Sequence, residues 1–147
     1  MAREARTYAF DVSEYFFRLT TESLRLYSNE TKRYQTLASL VDHIAPSALS
    51  TISEHDVETL REHLELVPSK GNIRIHLTAT RATAEYLAEI TRHLSKVFSS
   101  APTVADAVSV LLFDYVAERN AAQLLKKLGL DTALQLPERT GSDSTGT

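Results

Sequence analysis

Hydrophobic and polar residues alternate most clearly at residues 72–78. The apolar members are Ile73, Ile75 and Leu77, and the polar members between and after them are Arg74, His76 and Thr78. This period of two predicts a β-strand with one buried face. Because a single strand leaves its backbone N–H and C=O groups without partners, we expect it to pair with the same strand of a second copy of the chain.

The pattern after this strand changes to the spacing of amphipathic helices. The first helix is predicted to open at Thr80 or Thr83 and to end near Pro102. Its apolar stripe consists of Leu87, Ile90, Leu94, Val97 and Phe98. Thr103 is the predicted N-cap of the second helix, which continues as far as a stop at Gly129. Its stripe consists of Val104, Val108, Leu111, Leu112 and Tyr115.

The segment before the strand has a residue pattern typical of helices. Residues 7–44 contain neither Gly nor Pro, and a break at Ser28 and Asn29 divides them into two predicted helices, the second ending at Pro46. A polar linker and a third helix ending near Leu66 are expected to follow. One alternative stays open: Tyr8, Phe10 and Val12 also alternate with polar or small residues, so that residues 7–45 could be a degenerate first strand-helix-helix copy.

A strand that pairs across a two-fold axis and is followed by two helices resembles the ribbon-helix-helix family of DNA-binding proteins. The resemblance covers residues 71–122. It implies a mainly α fold in which one strand pairs across a homodimer, with a helical N-terminal extension. In that family the two-stranded ribbon enters the major groove of DNA, while its inner face lies on the helices. The resemblance also includes some single-chain relatives in that family that carry two copies, which pair internally.

Carried onto this chain, the resemblance implies roles for particular residues. The predicted base contacts are Arg74, His76 and Thr78. The predicted phosphate contacts are Lys70, Arg81, Ser100 and Thr103, the last two at the N-terminus of the second helix. The predicted dimer core is Ile73, Ile75, Leu77, Leu111, Leu112 and Tyr115.

Charge follows the same division of the chain. Residues 1–68, the predicted N-terminal region, have 7 Lys and Arg against 11 Asp and Glu, a net charge of −4. Residues 69–128, the predicted DNA-binding module, have 8 against 5, a net charge of +3. Residues 129–147 form a polar tail that is expected to be disordered. The basic excess lies where DNA binding is expected.

Several classes of function are not indicated by the sequence. The chain has no cysteine, which excludes disulfides and thiolate chemistry, and its histidines and glycines lack the spacing of metal sites or phosphate loops. We therefore expect no enzyme, no metal and no cofactor. No apolar run reaches the length of a membrane span, so a cytoplasmic, nucleoid-associated protein is expected.

The functional prediction is sequence-specific binding of double-stranded DNA, as a transcriptional repressor or as a plasmid or phage accessory factor. A protein partner could bind residues 1–68. The alternative is a non-enzymatic helical protein-interaction or scaffold module in which the strand only dimerises the chain.

Overall fold

The computed structural model describes residues 5–98 and 101–129, and this part of the chain is mainly helical with a two-stranded antiparallel sheet. In chain order its elements are β1 (Arg6–Val12), α1 (Glu14–Thr31), α2 (Leu37–Ser53), α3 (Val57–Leu66), β2 (Ile73–Ala79), α4 (Arg81–Val97) and α5 (Val104–Lys127). Residues up to Tyr115 form one compact unit, and Val116 begins a second. No helix among the described residues is both long and apolar enough to cross a membrane.

The strand β2 pairs with β1 of the same chain. The two run antiparallel, with Arg6 opposite Ala79, Ala9 opposite His76 and Val12 opposite Ile73. The predicted ribbon between two copies of the chain is therefore wrong, and the internal pairing of the tandem alternative is what the structure shows. The prediction of a helix over residues 7–12 is wrong for the same reason, because these residues supply the missing strand partner.

The order strand-helix-helix occurs twice with a constant offset. The pairs of elements begin at Arg6 and Ile73, at Glu14 and Arg81, and at Leu37 and Val104, each pair 67 positions apart. The capping residues keep this offset: Ser13 and Thr80 precede the first helix of each copy, and Thr36 and Thr103 precede the second. Each of these hydroxyl oxygens accepts a hydrogen bond from the backbone N–H three residues later, which satisfies a donor left free at a helix start.

The inner face of the ribbon lies on the helical core. Tyr8, Val12, Leu77 and Ala79 are buried, and α2 packs against both β2 and α4. The helices add a set of fully buried side chains: Phe16, Leu40, Val41, Ile52, Leu87, Ile90, Leu94, Val108 and Leu112.

The residues predicted to form a dimer core are accommodated by a single chain. Leu77, Leu111, Leu112 and Tyr115 are buried without a second copy, and Ile73 and Ile75 are half-buried. A second copy of the chain is therefore not needed to bury these four side chains. A role of the six residues in a dimer stays a prediction.

Pro46 lies inside α2 instead of ending it, and the predicted linker at residues 47–53 is the last part of the same helix. A proline removes one backbone hydrogen bond and strains the preceding turn. In α2 the ring of Pro46 is exposed, while Ala45, Ala48 and Ile52 are buried on the opposite side. Burial of that apolar stripe explains why the helix continues past the proline.

The third helix and the turn after it connect the two copies. Asp56 caps α3 through the N–H of Thr59, and β1 and β2 pair across the boundary predicted between residues 68 and 69. In the turn, the N–H of Gly71 donates to the carbonyl of Asp11 at 3.0 Å. A side chain at position 71 would collide with the carbonyl oxygen of Val12. A glycine is therefore required where this turn meets the end of β1.

The predicted polar tail at 129–147 lies, apart from Gly129, outside the described residues.

Candidate nucleic-acid interface

The outer face of the ribbon consists of the six side chains that point away from the helices: Thr7, Ala9 and Asp11 on β1, and Arg74, His76 and Thr78 on β2. All six residues are exposed. Alternation along the strand fixes which side chains share a face, so the three residues predicted to contact bases do lie together on one exposed surface. The structure adds three further residues to this surface from β1.

At one end of the outer face, Arg74 and Asp11 form a bidentate ion pair across the two strands. The Arg74 Nε donates to Oδ1 of Asp11 at 2.6 Å, and Nη2 donates to Oδ2 at 3.1 Å. The guanidinium holds the pKa of the Asp11 carboxyl below its usual range. Both side chains remain more than half exposed, at 59% for Arg74 and 53% for Asp11. The pair is therefore open to water, and other ligands can reach either partner.

The other end of the outer face is neutral. The hydroxyl oxygens of Thr7 and Thr78 lie 3.1 Å apart and share a hydrogen bond. In the middle, His76 lies opposite Ala9, whose small side chain leaves space beside the imidazole. The ribbon thus presents hydroxyl groups, an imidazole and an ion pair along a single line.

Basic side chains flank the ribbon. Lys70 is exposed in the turn before β2. Arg81 opens α4, and its guanidinium lies 3.4 Å from the Glu85 carboxylate. Arg6, which the sequence reasoning missed, lies at the start of β1 with its guanidinium 4.9 Å from the centroid of the Tyr8 ring. The alternation at residues 7–12, on which the tandem alternative was based, is the signal that would have placed Arg6 at the ribbon.

The N-terminus of α5, where Thr103 was predicted to bind a phosphate, already has a carboxylate bound to the N–H of Thr103. Asp106 Oδ2 accepts from the N–H of Thr103 at 2.9 Å, and Oδ1 accepts from the hydroxyl of Ser69 at 2.5 Å. A phosphate at this position would meet a negative charge and lose one of its donors. Ser100, the other predicted contact there, lies outside the described residues.

The corresponding position in the first copy, at the N-terminus of α2, has the opposite charge. Thr36 and Ser39 form a neutral capping box, and the preceding loop contains Lys32 and Arg33, both exposed. Tyr34 in this loop is fully exposed. Sequence reasoning missed this loop because residues 7–45 were predicted to be a plain helical hairpin, although Thr36 and Thr103 carry the same capping signal.

Comparison of the chain with protein-family models, with curated proteins and with solved structures finds no match. Among the described residues, no group of three or more His, Asp or Glu side chains is placed to hold a metal ion. The functional argument therefore depends on the geometry of the ribbon and of the loops beside it.

Proposed function

We propose that this protein is a sequence-specific double-stranded DNA-binding protein of the ribbon-helix-helix type, in which one chain supplies both strands of the ribbon. The observation that carries the proposal is the exposed outer face of a ribbon whose opposite face lies on a helical core. A transcriptional repressor or an accessory factor of a plasmid or phage would use such a module.

The dimensions and chemistry of the ribbon suit the major groove. The groove admits a two-stranded ribbon, and base edges there present acceptors, donors and the thymine methyl group. Arg74 can pair with the two acceptors of guanine, and the threonine side chains offer hydroxyl and methyl groups. Burial of Tyr8, Val12 and Leu77 below the ribbon holds these outer residues in a fixed line, so binding needs little ordering of the backbone.

The basic residues around the ribbon would add contacts to phosphates. Lys70 and Arg81 flank β2, and Lys32 and Arg33 lie just before the N-terminus of α2. A helix start with free N–H groups and no acid in its first turn favours an anion, and α2 has no acid in that turn. Contacts of this kind position the protein on DNA without reading its sequence.

The Asp11–Arg74 pair sets a condition on this mechanism. To reach a guanine, Arg74 has to leave Asp11 or to donate to both through its different N–H groups. An ion pair this exposed is screened by water and salt, so the exchange is inexpensive. Asp11 can itself accept from the amino group of a cytosine, the base that pairs with guanine.

Fluorescence anisotropy with mixed genomic duplex fragments tests the proposal. We expect binding that weakens steeply as salt rises, because phosphate contacts release counterions. Arg74→Ala is expected to weaken binding roughly tenfold or more, the loss of one bidentate base contact. The matched control is Arg25→Ala, because Arg25 is also exposed and makes a bidentate pair, with Glu22 on α1. Equal losses in both variants, or no binding at low salt, would refute the proposal.

A second candidate function, protein binding by the helices, is favoured by a groove of about 720 Å³ between α2 and α4. It is lined by Leu49 and Tyr86, by the basic side chains of Arg92 and Lys96 together with His93, and by one acid, Glu89. In this alternative the ribbon only joins the two copies, and the groove binds an acidic segment of another protein. Arg74→Ala would then leave binding of the partner unchanged, whereas Arg92→Ala would weaken it.

A further inference from the structure

We infer that the ribbon reads an asymmetric DNA site and binds it in one orientation. This inference rests on the proposed function and specifies its substrate class. A ribbon made of two identical strands presents the same residues at both ends and reads a palindrome, because the symmetry of the site follows that of the protein. Here the two strands belong to one chain and differ at every outer position.

The constant offset between the copies identifies the equivalent outer positions. Positions 67 apart are Thr7 and Arg74, Ala9 and His76, and Asp11 and Thr78. No pair is identical, and in two of the three pairs only one member is charged. By contrast, the capping positions of the two copies keep a hydroxyl throughout, at Ser13 and Thr80 and at Thr36 and Thr103.

The cross-strand contacts turn this sequence difference into a chemical difference between the ribbon ends. Thr7 and Thr78 form a neutral end with hydroxyl groups at 3.1 Å. Asp11 and Arg74 form an ion-paired end with a guanidinium and a carboxylate. A two-fold rotation that exchanges the two strands also exchanges the two ends of the ribbon. It would place the ion pair where the hydroxyl pair is. Half-sites of the same sequence cannot satisfy both ends, because guanidinium and carboxylate groups select different base edges from those that hydroxyl groups select.

The starts of the second helices, α2 and α5, also differ in charge between the two copies. Ser39 in the capping box of α2 corresponds to Asp106 in that of α5. The loop before α2 contains Lys32 and Arg33, whereas at the start of α5 the carboxylate of Asp106 accepts from the N–H of Thr103. Phosphate on one flank of the site would therefore be held more firmly than on the other. This second difference, away from the ribbon, also favours a single orientation.

Selection of the full chain against a duplex library with a randomised core would identify the bound sequence. We expect a site whose two halves differ. Two synthetic palindromes made by duplicating each half are then compared with the selected site by anisotropy. The selected site is expected to bind roughly tenfold or more tightly than either palindrome, the effect of one mismatched bidentate contact.

A variant with the outer residues of β2 on both strands provides the converse test. Thr7→Arg, Ala9→His and Asp11→Thr together place the β2 set on β1, at exposed positions where the core is not disturbed. We expect this variant to prefer the palindrome made from the half-site that β2 reads. Its thermal unfolding and far-UV circular dichroism should match those of the wild type, which separates altered reading from misfolding.

The outcomes distinguish a failure of asymmetric reading from a failure of DNA binding itself. A selected site that is palindromic, or a triple variant that keeps the wild-type preference, would overturn asymmetric reading and leave DNA binding in place. Failure of the library to yield any duplex bound by the wild type would remove DNA binding itself, and the inference with it.

Discussion

The buried histidine on α3 leads to a prediction about stability and pH. His63 lies against α5, where its Nε2 is 2.8 Å from the hydroxyl of Ser109 and its ring centroid is 4.3 Å from that of Phe113. Its Nδ1 is buried and has no hydrogen-bond partner among the described residues. Burial disfavours the charged imidazole and lowers the pKa of His63 from its ordinary value of 6.5 to about 4.

The direction of the effect follows from proton binding. Between these two pKa values the unfolded chain binds a proton at His63 and the folded chain does not, so the folded state loses stability as pH falls. From pH 7 to pH 5 the difference amounts to about 2 kcal/mol in the free energy of unfolding. The carboxyl groups with lowered pKa, Asp11, Glu22 and Asp56, lose most of their contribution below about pH 5, and so act largely outside this window.

Urea unfolding of the wild type and of His63→Gln at pH 7 and pH 5 measures this contribution. The glutamine amide can donate to or accept from the Ser109 hydroxyl but does not titrate, so the variant is expected to lose most of the decrease in stability between the two pH values. His76→Gln is the matched control, because His76 is exposed on the ribbon and its replacement should leave the decrease unchanged. If His63→Gln showed the same decrease as the wild type, the burial argument would be refuted.

Two further predictions test the pairing of β1 with β2. Gly71→Ala would place a Cβ against the backbone of Val12 and Ser13 and is expected to cost about 1–3 kcal/mol in urea unfolding, as overpacking does; wild-type stability would mean that the turn is not held against β1. Because the ribbon forms within one chain, the midpoint of thermal unfolding should not depend on protein concentration, as it would for an obligate dimer. A midpoint that rises with concentration would instead support a ribbon shared between two chains.

The second copy was the easier one to predict from the sequence. Its strand has β-branched or aliphatic residues at every inner position that the prediction used, Gly71 precedes that strand, and Pro102 marks the end of the helix after it. In the first copy, Phe10 fits a helical spacing with Phe17 and Leu24 as well as an alternation with Tyr8 and Val12, and no glycine or proline precedes the helix. The local pattern of apolar residues therefore could not distinguish a helix from a strand. These residues form a strand because β2, more than 60 positions away in the sequence, leaves an edge whose backbone groups have to be paired.

The membership of the outer face could be predicted, but its chemistry could not. Alternation places Arg74, His76 and Thr78 on one side whatever strand pairs with β2. What lies opposite each of them depends on the identity and register of the partner. Pairing of β2 with its own copy in a register centred on His76 would place Arg74 opposite Thr78, whereas pairing with β1 places it opposite Asp11. Arg74, which the sequence predicted to contact DNA, is therefore already paired with Asp11 in the folded chain.

If the ribbon binds DNA as proposed, this ion pair gives it a way to discriminate among DNA sequences. A lone arginine attracts any phosphate, whereas an arginine held by a carboxylate gains from DNA only where a base replaces or complements that carboxylate. Asp11 would also repel the phosphate backbone wherever it finds no base donor. Its presence would lower binding to every sequence, and would lower it least where a base amino group can reach it. A negative charge on the outer face of the ribbon, which looks unfavourable for affinity, would thus increase the difference between one site and the rest.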